Sequence, residues 1–138
     1  MAEFGNTSRS RLNTAHPDLQ LIFEHVITYW DCSILCGERG EVEQTKAYNE
    51  DKSKVQFPNS KHNSSPSMAV DAAPYPIDWD DLKGFASFGN YVVGMADALY
   101  LAGLITHRVR WGGDWNWSDR NNDPQSFDDL PHFELVSP

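Results

Sequence analysis

Pro17-Asp-Leu-Gln-Leu-Ile-Phe-Glu-His-Val-Ile-Thr-Tyr-Trp30 runs straight into Asp31-Cys-Ser-Ile-Leu-Cys36, and the two halves of this stretch carry different periods. Leu19, Ile22, Phe23, Val26, Ile27 and Trp30 recur at offsets 0, 3, 4, 7, 8 and 11, which trace one face of an α-helix. Pro17 suits the first turn of that helix, and Asp18 suits the positive end of its dipole. Cys32 to Cys36 reads instead as a short buried strand, broken by Gly37 and Gly40. A helix followed at once by a strand marks a chain of mixed class.

Outward from there, Glu41 to Asn49 predicts a short polar helix. Trp79 to Leu101 predicts a longer one, with Leu82, Phe85, Phe88, Val92, Met95, Ala96 and Leu99 on its inner face. Gly84, Gly89 and Gly94 weaken this helix and point to close packing against another element. Met68 to Ala72, Ile105 to Trp111 and Phe133 to Val136 read as further strands, the first ended by Pro74 and Pro76. The expected fold is α+β, a small antiparallel sheet packed against two main helices. Two stretches of 19 residues each, Asn49 to Ser67 and Gly112 to Leu130, show no regular period. Ordered loops longer than about 12–15 residues are uncommon and usually functional. His62 lies inside the first, and His132 follows the second.

The whole chain of 138 residues is the size of one domain, and residues 1–138 are expected to form one. A net charge of −9 repels phosphate backbones, so nucleic acid is not an expected partner. No apolar run reaches the roughly 18 residues that span a bilayer, so no membrane insertion is expected. Met1 to Leu12 lacks the apolar core of a secretory signal. Cys32 and Cys36 belong to no paired thiol framework and read as buried small hydrophobes, without a redox or metal role.

Of the five histidines, His16, His25 and His107 read as surface or hydrogen-bonded side chains. His62 and His132 differ because carboxylates lie near each. Asp71 stands on the strand fed by the loop that carries His62. His132 and Glu134 share a strand face, and Asp129 can bend back over that face from the loop. Two imidazoles and a carboxylate are the ligand set of many catalytic zinc sites, and a further carboxylate supplies a general base. On spacing alone, hydrogen-bonded histidines at loop ends fit equally well, so both readings stay open at this point. Trp111, Trp115 and Trp117 suit either a groove wall or the core, with Trp111 a core residue at a strand end. Asp119, Asn121 and Asp123 are spaced like a calcium loop, but Pro124 and Leu130 stand where an EF-hand needs glycine and glutamate.

Ser60-x-His62, Ala69-Val-Asp71 and Pro131-His-Phe-Glu-Leu135 together resemble the LAS zinc metallopeptidases. These include D-alanyl-D-alanine peptidases and phage endolysins that cleave L-alanyl-D-glutamate bonds. The resemblance to the endolysins extends through Gly37-Glu-Arg39, Gln44, Pro74 to Trp79, Trp111 to Asn116 and His16 to Gln20, nearly the whole chain. It implies His62, Asp71 and His132 as ligands of Zn²⁺, Asp129 as the catalytic carboxylate and Arg39 as the group that polarises the scissile carbonyl. His62 and Asp71 stand nine residues apart, where much of the family has seven with a glycine between. The implied function is a monomeric, zinc-dependent endolysin that hydrolyses peptide stems of peptidoglycan, without a separate cell-wall-binding domain. It would gather in the host cytoplasm and reach the wall at lysis. A D-alanyl-D-alanine carboxypeptidase or dipeptidase, and a non-enzymatic zinc-binding module, are the rival readings. Neither cysteine is expected to supply a further ligand. Glu134 is expected to brace His132 and to rank behind Asp129 as the base.

Overall fold

A computed structural model describes residues 2–114 and 129–138. Along them run helix α1 (Asn6–Leu12), helix α2 (Pro17–Tyr29), strand β1 (Cys32–Cys36), helix α3 (Glu41–Asn49), a 3-10 turn (Lys61–Asn63), strand β2 (Ala69–Pro74), helix α4 (Leu82–Leu101), strand β3 (Arg108–Trp111) and strand β4 (His132–Val136). The strands form one sheet in the order β1-β2-β4-β3, and every neighbouring pair is antiparallel. This is the α+β fold expected from the sequence.

The core lies between one face of the sheet and the pair α2 and α4. Leu19, Ile22, Phe23, Val26 and Ile27 of α2 meet Phe88, Val92, Ala96 and Leu99 of α4 in one buried cluster. Val70, Ala72, Phe133 and Leu135 enter that cluster from β2 and β4. Phe133 takes the edges of Phe23 and Phe88 at 5.7 and 6.1 Å between ring centroids. Because side chains alternate along a strand, the residues between these, Asp71, His132 and Glu134, fall on the opposite face. The core therefore fixes which face carries the chemistry.

Several boundaries differ from the sequence expectation. Helix α1 was not expected, since Asn6 to Leu12 offers only one residue, Leu12, to the core. Its anchorage is polar. Ser8 Oγ accepts from the Ile34 amide at 3.0 Å, and Arg11 donates to the Ile34 carbonyl at 3.1 Å. Helix α1 thereby covers the open edge of β1, which would otherwise present unpaired backbone groups. Helix α4 begins at Leu82, not Trp79, because Asp81 caps it by accepting from the Gly84 amide. Leu82 is consequently exposed, not on the inner face. Strand β2 continues to Pro74, and β3 starts only at Arg108. Gly89 is the helix glycine that close packing between elements demands, since a Cβ there would meet the Trp111 indole at 2.2 Å. Trp111 is buried, as expected, and donates from Nε1 to the Leu130 carbonyl at 2.7 Å. Trp115, Trp117, Asp119, Asn121 and Asp123 lie outside the described residues. Among the described residues, no helix is long and apolar enough to cross a membrane.

Candidate metal centre

Strands β2 and β4 are in register so that Asp71 stands directly opposite His132. The third member, His62, comes from the 3-10 turn Lys61–Asn63. Ser60 and Asn63 close that turn by reciprocal side-chain-to-backbone bonds. The turn is tied to its surroundings by the Met68 amide on the Lys61 carbonyl and the Arg39 amide on the His62 carbonyl. The longer connection to Asp71 is itself held, because Ser67 exchanges backbone bonds with Thr14 and His16. Three separate segments thus deliver two imidazoles and a carboxylate to one place.

Their donor atoms form a nearly equilateral triangle. Asp71 Oδ1 lies 3.1 Å from His62 Nε2 and 3.1 Å from His132 Nδ1, and the two nitrogens are 3.3 Å apart. Ligands held tetrahedrally at about 2.0–2.1 Å from zinc stand about 3.3–3.4 Å from one another. The triangle has the size that the ion requires. The outward nitrogens are equally informative. His62 Nδ1 lies 2.7 Å from the Gly37 carbonyl, and His132 Nε2 lies 2.9 Å from Glu134 Oε1. With a cation in the triangle, each ring would give its one hydrogen to the acceptor behind it and its inward nitrogen to the ion; with protons instead, the inward nitrogens hydrogen-bond Asp71. Glu134 is fixed in turn by Arg110 at 2.7 Å and Lys61 at 3.4 Å. The side chains fit a zinc ion.

The electrostatics agree. Burial works against the charged form of His62, but the charge and hydrogen bond of Asp71 outweigh it and raise its pKa to about 10. Burial likewise opposes charge on His132, yet hydrogen bonds to Asp71 and Glu134 raise it to about 9. Burial would raise the pKa of Asp71, but the two histidines hold it well below the usual carboxylate range. Burial would raise Glu134, but the bond and charge of His132, with Arg110 and Lys61, together bring it down to about 2. The cluster attracts positive charge strongly, whether protons or a metal cation.

Beside the triangle lies a groove of about 990 Å³, lined by Arg39, Trp79 and Asp129 as well as by the three donors. Asp129 is displaced upward in pKa, first by burial and then by the negative charge of Asp71. Its backbone is pinned to Gly112 by the Asp129 amide at 2.9 Å. A Cβ at Gly112 would meet the Asp129 carbonyl at 2.1 Å, so only glycine lets the two strand ends close this tightly. Arg39 Nη2 lies 3.5 Å from Asp71 Oδ2, and Arg39 Nη1 donates to Gln44 Oε1 at 3.0 Å. Gln44 is fully buried, and its amide nitrogen donates to Ser53 Oγ and the Val55 carbonyl. It braces Arg39, a role that hydrophobic periodicity could not reveal because α3 has no apolar face.

Cys36 corrects one expectation. Its sulfur and the donor atoms of His62 and Asp71 all lie within 4.8 Å of one another, and Arg39 Nη2 is 3.7 Å from it. Burial pushes the Cys36 thiol up, but the hydrogen bond and charge of His62, with the charge of Arg39, together outweigh this and lower its pKa. The cause is a register shift in β1. Ile34 pairs with Ala72 but Cys36 pairs with Asp71, so the alternation breaks between them and the thiol is re-aimed at the site. Cys32, by contrast, is buried as expected, and burial pushes its pKa to about 12.

His16 and His107 also meet a carboxylate. His107 Nδ1 lies 2.8 Å from Asp18 Oδ2, and the two imidazoles stand edge to face at 4.9 Å. His25 stays apart from both clusters, its Nδ1 2.9 Å from the Leu21 carbonyl on its own helix.

The sequence profile of the phage L-alanyl-D-glutamate peptidase family matches residues 1–136. No curated protein matches the chain at significant similarity. Among solved structures, the crystal structure of the Serratia marcescens L-Ala D-Glu endopeptidase ChiX is similar, with a TM-score of 0.69. The likeness covers 97% of this chain and 90% of that one at 24% identity, and it speaks for a shared fold.

Proposed function

The chain belongs to the phage L-alanyl-D-glutamate peptidase family, and from that premise we propose that it is a zinc endopeptidase cutting the L-alanyl-D-glutamate bond of peptidoglycan stems during host lysis. That it is a peptidase acting on peptidoglycan follows from the family itself. The metal, the roles of individual residues and the passage from host cytoplasm to wall are our reading.

His62, Asp71 and His132 would hold the ion, and residues 1–138 would act as one catalytic domain. A bound zinc ion supplies Lewis acidity and brings the pKa of water toward neutrality. Asp129 removes a proton from the attacking water, holds it at its carboxylate and passes it to the leaving amine of D-glutamate. Burial and the charge of Asp71 raise its pKa, which suits a group that must carry the proton between the two steps. Arg39, held by Gln44, directs its guanidinium toward the oxygen of the scissile carbonyl, where negative charge develops. Glu134, 2.9 Å from His132 Nε2, would accept the hydrogen of that nitrogen and leave Nδ1 for the ion.

The observation that carries this reading is the donor triangle with its outward nitrogens tied to acceptors, opening on a groove that also contains Asp129. Mass analysis of muropeptide digests tests it. Products cut between L-alanine and D-glutamate, lost with a chelator and restored by Zn²⁺, are expected. Release of terminal D-alanine would establish the carboxypeptidase instead, and full activity after verified metal removal would end the zinc assignment.

A further inference from the structure

From the end of β2 to the first residue of α4 the chain exposes four large apolar side chains in quick succession: Tyr75, Ile77, Trp79 and Leu82. Of these, Trp79 also lines the groove that holds Asp129 and the donor triangle. Its indole lies nearly parallel to the Phe85 ring, with centroids 5.3 Å apart and 18° between planes. Phe85 is buried in α4, whereas Trp79 remains 58% exposed. The indole is thus backed on one side by a buried ring while more than half of its surface stays open to solvent. The turn beneath it is fixed: the Asp80 amide donates to Asp78 Oδ1, the Asp81 amide to the Asp78 carbonyl, and the Gly84 amide to Asp81. A flat aromatic surface on a rigid turn is ready to bind without reorganisation.

We propose that Trp79 is a sugar-stacking platform which receives the muramyl ring adjacent to the scissile bond. The inference rests on the substrate reading above and adds the part of the substrate that this side chain recognises. The other walls of the groove are charged, carrying Arg39, Lys61 and Arg110 beside Asp71, Asp129 and Glu134. An uncharged indole face suits a neutral, flat, apolar partner, and the C–H face of a pyranose is one. The chemistry of the substrate brings such a ring close. In a stem peptide the amino group of L-alanine is acylated by the lactyl ether of muramic acid. The sugar therefore begins about two residue lengths from the scissile carbonyl, roughly 7 Å. Pro131 and Val55 line the same groove and extend its apolar surface.

The test uses the full, zinc-loaded chain and two substrates with the same stem, one on N-acetylmuramic acid and one N-acetylated at L-alanine. Wild type is expected to prefer the muramyl substrate in kcat/KM. Trp79→Ala should lower that preference about tenfold through KM, the scale of one aromatic contact, and Trp79→Phe should keep most of it. An unchanged preference in Trp79→Ala, or none in wild type, overturns the proposal. Binding is measured separately by titrating N-acetylmuramyl-L-alanine into zinc-loaded Asp129→Asn and following indole fluorescence against the same protein with Trp79→Phe. A saturable, Trp79-dependent change is expected, and its absence overturns the proposal too. If wild type cleaves neither substrate, the peptidase reading fails, while the titration still decides whether Trp79 holds the sugar.

Discussion

Two groups of side chains in this molecule have the same composition, two histidines and an aspartate, and opposite character. In the group of His62, Asp71 and His132, each imidazole has one nitrogen on an acceptor behind it and the other beside the same oxygen of Asp71. In the group of His16, Asp18 and His107, the lone pair of His16 Nδ1 already accepts the Asp18 amide at 2.9 Å. Asp18 Oδ2 is likewise occupied, by the amides of Thr106 and His107, the Thr106 hydroxyl and the His107 ring. The first group commits its donor atoms only to one another, beside a groove, where a cation can take the place of the hydrogens they share. The second uses its own to tie the start of α2 to the segment before β3. Residue type does not make a metal site; the partner of the far nitrogen does.

The largest effects should fall on the first group. His62→Ala, Asp71→Ala and His132→Ala are each expected to lose the metal and at least about 10³-fold in muropeptide turnover, since on the proposed mechanism the attacking water depends on the ion. His107→Ala should keep one zinc per chain by elemental analysis and turn over at close to the wild-type rate. Loss of metal in His107→Ala, or its retention in all three of the others, would break the comparison. Asp129→Asn should come next, losing about 10²–10⁴-fold in kcat with the zinc still bound, because on the proposed mechanism it removes a proton carrier and no ligand. Glu134→Gln should weaken zinc affinity about 10–100-fold, as loss of a partner behind a ligand does. A fully metallated Glu134→Gln without activity, beside an active Asp129→Asn, would reverse the two roles.

How far all this was legible in the sequence follows the same division. Helix α2 and the core halves of β2 and β4 were readable because burial imposes a period, and the period says which residues face away from the core. That is why His132 and Glu134 could be placed on one face before any coordinates, whereas Asp71 comes opposite His132 only through the register of β2 on β4. Helix α1 was not readable, since bonds from Ser8 and Arg11 to the backbone of Ile34 hold it in place of an apolar stripe. Cys36 was misplaced because strict alternation puts it with Cys32 and Ile34, and the register shift that re-aims it leaves no mark in composition. Gln44 and the turn under Trp79 depend on contacts between segments far apart in the chain, which no local pattern encodes.

Acidity sharpens the comparison further. In the chelated chain, the raised pKa values of His62 and His132 contribute stability that is fully present below their unfolded value of about 6.5. That contribution is lost as pH climbs through about 9 and about 10. For Asp18, burial raises the pKa but its hydrogen bond with His107 and the other donors outweighs it, leaving it lowered. Its contribution is present above about 3.8 and is lost as pH falls through the lower folded value. Chelated protein should therefore melt at falling temperature from pH 7 to pH 10, and Asp71→Asn should flatten that fall. Zinc-loaded protein should rise in Tm as pH climbs through the early part of that range, because protons compete less for the nitrogens. A chelated Tm that stays level to pH 10 would count against the charge pairing at the site.

The smallest effect tests the second group for what it is. His16 caps α2 by accepting the Asp18 amide, with Pro17 next to it in the first turn. Removing a side-chain cap costs about 0.5–2 kcal/mol, or about 2–6 °C in Tm for a domain of this size. His16→Ala should show that loss by thermal melting with its single zinc in place. His16→Ser should recover most of it, because a serine hydroxyl accepts the same amide. Serine is also a poor substitute for imidazole as a ligand of a divalent transition metal. A cap and a ligand thus make opposite forecasts for the one variant. Recovery in His16→Ser with unchanged metal content identifies a helix cap. Two metals per wild-type chain, falling to one in both His16 variants, would instead make the two groups alike.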